Sequence, residues 1–171
     1  MITITESGMT FGPFEEDHCF AVEKCEAYDR IKDRVKIAEF VWLRDDLTPP
    51  TIWIVEAKSS SPRSESPQPF AAFITEIQEK LLNALTMVLS ACLKRPESAY
   101  TELSAPFREI TLSALDARLI LVIHGHQADW LSPLNDALSK ALHATVKTWG
   151  LTTPAVIVLN DDLARRYKLI K

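Results

Sequence analysis

The stretch "TPPTIWIVEAKSSSP", residues 48–62, decides how the rest of the chain is read. Its β-branched and aromatic run lies between a proline pair and a serine cluster, the signature of a strand with marked ends. Residues two apart on a strand share a face, so Glu56 and Lys58 project together, away from Val55 and Ala57. The preceding run "VKIAEFVWL", residues 35–43, has the same character, and "RDDLTPP" punctuates a turn between the two. They read as neighbouring antiparallel strands, which puts Glu39 within reach of the Glu56 face. Two carboxylates plus a backbone carbonyl would make a hard, oxygen-rich site suited to Mg2+ or Mn2+. A lysine beside it could activate water or stabilise charge growing on a phosphate.

Working outward, "SSSPRSESPQP" has no apolar periodicity and reads as an exposed loop directly after the charged strand end. From residue 70, apolar side chains at spacings of three and four, among them Phe73, Ile77, Leu81, Ala84, Leu85 and Val88, predict a long amphipathic helix. Glu76 and Lys80, four apart, read as a surface pair on that helix. "ARLILVIHGH" predicts a buried strand and "PAVIVLN" another. Between them, "SPLNDALSKALHATVKTWG" predicts one helix opened by Ser132 and Pro133 and closed by Gly150. "MITIT" predicts a short first strand, residues 13–32 a first helix with a ragged start, and "DDLARRYKLI" a last helix capped by Asn160 or Asp161. The order is α/β, with an antiparallel start and a parallel, crossover-linked end.

Composition narrows the class. The chain has 171 residues, 47% of them hydrophobic and 25% charged, with only four glycines, which suits a single core. "LLNALTMVLSACL" is too short and too polar to span a bilayer, so no membrane partner is expected. The start lacks the basic and apolar regions of a secretory signal, and the expected location is cytoplasmic. Cys19, Cys25 and Cys92 follow no metal or disulfide spacing and read as reduced, mostly buried thiols. A net charge of −4 argues against a broad phosphate-binding surface, so contact with nucleic acid would need a local patch or a partner subunit. His124 and His126 in "HGH" lack a third clustered ligand and read as a strand running into a loop. Trp42, Trp53, Trp130 and Trp149 are scattered and read as core or interface residues.

The pairing of "AEFVWL" with "IWIVEAKSS", followed by a long helix and another strand, resembles the PD-(D/E)xK nuclease superfamily. The resemblance covers residues 14 to about 125. It implies a single domain over 1–171: a restriction-endonuclease-like mixed sheet flanked by helices, with a C-terminal strand-helix-strand-helix extension over 126–171. It also implies a Mg2+- or Mn2+-dependent phosphodiesterase acting on nucleic acid, expected to be a DNA endonuclease. Glu39 and Glu56 would be metal ligands and catalytic residues, the carbonyl of Ala57 a further ligand, and Lys58 the catalytic lysine. Glu23, with Glu26 as the alternative, would be an acidic ligand from the first helix, and Gln78 an auxiliary residue from the long one. The match departs from the pattern at Glu39, where aspartate is usual, and at Leu82, where related exonucleases carry tyrosine. The rival expectation is a catalytically inactive nuclease-fold subunit of a multi-protein complex, such as an antiviral defence system. Either could act as a homodimer or with a partner protein.

Overall fold

The computed structural model describes residues 1–171. Chain entry is a hairpin, β1 (Ile2–Glu6) and β2 (Met9–Phe14), paired antiparallel. Its two-residue turn is Ser7-Gly8, both at positive φ. Gly8 suits that backbone, and a side chain on it would press on the His124 ring, 3.3 Å from where its Cβ would lie.

Residues 13–32 do not form the expected helix. Two 3-10 turns flank a two-residue strand, β3 (Cys19–Phe20), and only Glu26–Asp29 makes a single α-helical turn, α1. The mixed apolar spacing of this segment serves a winding path instead: Val22 is buried in the second 3-10 turn, Cys25 at its junction with α1, and Ala27 within α1.

β4 (Phe40–Arg44) and β5 (Thr51–Lys58) pair antiparallel, with Phe40 opposite Val55 and Arg44 opposite Thr51. The expected strand over 35–43 therefore begins later, and Glu39 sits immediately before it, its N–H still donating to the Val55 carbonyl at 3.1 Å. α2 (Pro67–Cys92) follows a loop over residues 59–66; Pro67 suits its first turn, where no N–H is needed. The irregular stretch after it holds two short helices, α3 (Glu97–Glu102) and α4 (Ala105–Glu109). β6 (Asp116–Ile123) then runs parallel to β5 over its whole length.

The helix expected over 132–150 is split into α5 (Leu131–Ala141) and α6 (His143–Trp149), ending at Gly150 with φ 61°. β7 (Val156–Leu159) runs parallel to β6, and α7 (Asp161–Arg166) is capped by Asn160, whose side chain accepts from the Leu163 N–H.

The result is α/β: a mixed five-stranded sheet, order β3-β4-β5-β6-β7, with helices against it. Ile52 and Ile54 face one core with Ile77, Leu81, Leu85 and Val88 of α2. Val55 and Ala57 face another, closed by Phe11 and Phe14 of the hairpin and by Leu169 and Ile170. Burial on both faces explains why β5 and β6 read as continuous apolar runs. Thr51 and Asp116 are buried polar residues at the strand starts, and Glu56 is a fully buried charge near the end of the central strand. No helix is long and apolar enough to cross a membrane.

Candidate functional site

The carboxyl ends of β5, β6 and β7 lie at one edge of the sheet. The start of β4 and the hairpin turn reach the same edge, since Glu39 bonds Val55 and the Ser7 hydroxyl donates to the Ala57 carbonyl at 3.0 Å. In open α/β sheets this edge is where ligands bind.

Glu56 stands on the α2 side of the sheet with no exposed surface. Its Oε1 accepts from Lys80 Nζ at 2.8 Å and lies 3.2 Å from Lys58 Nζ. Its Oε2 is buried with no hydrogen-bond partner. Glu39 is the second carboxylate at this point, 3.7 Å from the same Lys80 ammonium. Lys58, besides its contact with Glu56, donates to Glu76 at 3.0 Å, and Lys36 pairs with the other Glu76 oxygen at 3.2 Å. The carboxylates of Glu39, Glu23 and Glu6 form a further group, with ligand atoms within 4.8 Å of one another.

The electrostatics follow from this crowding. Burial, then the Glu56 charge, then a hydrogen bond with Glu23 push the Glu39 carboxyl up to about 8, against the pull of Lys80. Burial also raises Glu56, although Lys80 and Lys58 oppose it. Burial pulls the Lys58 ammonium down, but Glu76 and Glu56 outweigh it and leave Lys58 above its usual value. Glu76 is held below the usual carboxylate range, chiefly by its hydrogen bond from Lys58.

The residues expected from sequence divide clearly. Glu39, Glu56 and Lys58 converge, Glu23 joins Glu39, and the Ala57 carbonyl reaches the same edge, where Ser7 already occupies one of its lone pairs. Gln78 stands apart: its amide donates to the Ala141 carbonyl at 2.9 Å and fastens α2 to the end of α5. Glu26 is engaged with Arg30 on the surface.

The expected surface pair Glu76 and Lys80 is corrected. Each turns inward to the β5 charges, Glu76 to Lys58 and Lys80 to Glu56. A signal for Lys80 was available. It lies three residues after Ile77 and four before Ala84, both fully buried, and so sits on the core stripe of the helix. Glu6 had a weaker signal in the Ser-Gly turn dipeptide that returns the hairpin.

His124 and His126 do not converge on one ligand position. His124 Nδ1 lies 2.8 Å from Asp161, whereas His126 Nε2 lies 2.7 Å from the Ser61 hydroxyl. The three cysteines are free, and burial pushes the Cys19 thiol up to about 12.

No family model, no curated protein and no solved structure matches the chain.

Proposed function

We propose that the chain is a metal-dependent phosphodiesterase acting on nucleic acid, DNA in the first instance, built on a restriction-endonuclease-like sheet of the PD-(D/E)xK type. The observation that carries the proposal is the state of Glu56. One oxygen is bound by two lysines, and the other is buried without any partner beside a second carboxylate whose proton affinity is raised. An unsatisfied buried carboxylate oxygen is expensive, and a hard cation would satisfy it. The donor set fits Mg2+ or Mn2+: Glu39 and Glu56 would hold the ion, Glu23 and Glu6, whose carboxylates group with that of Glu39, would add oxygens, and the Ala57 carbonyl lies at the same edge. Such an ion supplies an activated water and neutralises developing phosphate charge.

The chain's own residues supply the rest. Glu76 and Glu56 keep the Lys58 ammonium protonated and fix it at the edge of the cluster, 24% exposed and so within reach of a substrate phosphate. Lys80 offsets the repulsion between Glu56 and Glu39 from behind and acts as a positioning residue. Cleavage of supercoiled plasmid and of a single-stranded oligonucleotide with Mg2+ or Mn2+ tests the proposal. Wild type should cut at least one substrate, and Glu56→Ala and Lys58→Ala should each abolish or strongly slow cutting. Equal activity of all three proteins would reveal a contaminant and remove the proposal.

One observation favours the rival reading, an inactive nuclease-fold subunit. Lys36, Glu76, Lys58, Glu56 and Lys80 form an unbroken chain of ion pairs, which satisfies all three lysines without substrate. The two readings part on divalent-ion binding, which the subunit would not need.

A further inference from the structure

A cavity of about 210 Å3 opens beside the candidate site, between the 59–66 loop and the start of α5. Ser61, three residues beyond Lys58, lines it, and three extended residues span at most about 11 Å. Its wall includes Trp130, one of the few large apolar side chains left exposed, at 36%. The Arg63 guanidinium lies 5.0 Å from the centre of the Trp130 ring, and the His126 ring packs edge-on to Trp130 at 5.2 Å. His126 Nε2 is engaged by Ser61, which leaves Nδ1 as the ring's other hydrogen-bonding atom. Burial lowers the His126 pKa, so the ring is neutral at pH 7. Asp129 and Glu65 add acceptors at the rim.

We infer that this cavity is a subsite for one unstacked nucleotide, its base lying on Trp130 and its phosphate meeting Arg63. The argument is one of shape and charge. The volume lies below that of pockets for drug-sized ligands and suits a single planar ring system. A flat cation already rests against the indole, and a nucleobase offers the same flat surface in its place; stacking on an aromatic accepts any base. Arg63, displaced from the ring, remains beside it as a partner for phosphate. His126 and the acidic rim address the base edge, where exocyclic amines need acceptors. Trp130, expected from sequence to be a core or interface residue, thus becomes the exposed platform of a charged cavity. The ligand class rests on the nucleic-acid reading above; the cavity itself does not.

The test is binding of deoxyadenosine monophosphate to the whole protein in EDTA, followed by the Trp130 indole N–H signal in NMR and by calorimetry. Saturable binding in the millimolar range or tighter is expected. It should weaken roughly tenfold or more in Trp130→Ala and much less in Trp130→Phe. Arg63→Ala should bring the nucleotide to the affinity of deoxyadenosine, and Glu39→Gln should leave binding unchanged. Absent binding, equal binding by Trp130→Ala, or full competition by inorganic phosphate alone would each overturn the inference. Cleavage without nucleotide binding would remove the subsite and leave the phosphodiesterase reading standing. Binding without cleavage would keep the subsite and remove that reading.

Discussion

Replacing Glu39 with glutamine should stabilise the metal-free protein at neutral pH, the reverse of what deleting a polar contact usually does. In the unfolded chain this carboxyl titrates near 4.5, and in the folded protein near 8. Because the folded value is raised, the contribution to stability is complete below pH 4.5. It is lost as pH climbs toward 8, since the unfolded chain releases a proton that the folded one keeps. Each pH unit in that window removes up to about 1.4 kcal/mol, so the loss between pH 4.5 and 7 approaches about 3 kcal/mol. Glutamine has nearly the same shape, stays neutral, and can donate to Glu23 as protonated Glu39 does. Urea unfolding followed by circular dichroism at pH 5, 6, 7 and 8, in EDTA, should show Glu39→Gln gaining on wild type at each step. By thermal melting the gap at pH 7 should be several degrees, at roughly 3 °C per kcal/mol for a chain of this size. Parallel pH profiles for the two proteins would refute the claim that crowding, rather than solvent, sets the state of Glu39.

Other consequences can be checked alongside. Lys80→Met removes the closest cation from a fully buried carboxylate and should destabilise the fold by about 3 kcal/mol at pH 7, measured by urea unfolding. Gln78→Ala loses only the hydrogen bond to Ala141 and should cost about 1 kcal/mol in stability, while any cleavage rate stays unchanged. On the proposed ligand set Mg2+ would displace the proton from Glu39, so calorimetry in buffers of different ionisation enthalpy should find close to one proton released per ion at pH 7 and little release at pH 9.

The strands and the long helix were legible because their patterns are simple: β5 and β6 are continuous apolar runs, and α2 keeps one stripe over its whole length. The E-x-K end of β5 was legible because strand alternation fixes which side chains share a face. The hairpin return was not, because β2 contains Gly12 and Pro13, which break any alternation. The segment over 13–32 misled because one 3-10 turn and one α-helical turn bury residues at spacings that resemble a longer helix. Lys80 and Glu76 show the limit most clearly. Spacing puts them on one face, but only the packing of α2 on the sheet makes that face inward. Only then do Glu56 and Lys58, themselves 3.2 Å apart, gain partners from the helix. Glu6 belongs with Glu39 through a tertiary meeting of the hairpin and the sheet edge, which no local pattern encodes.

The most direct test of the central claim is single-turnover cleavage of DNA as a function of Mg2+ concentration, for wild type, Lys58→Ala and Glu39→Gln. An ammonium is repelled by the ion and acts on phosphate charge, so Lys58→Ala should keep the wild-type Mg2+ midpoint and lose roughly a hundredfold or more in rate. A carboxylate ligand sets the affinity for the ion, so Glu39→Gln should move the midpoint upward by tenfold or more. Cleavage by wild type that needs no divalent ion, or midpoints and rates that coincide in all three proteins, would contradict the account.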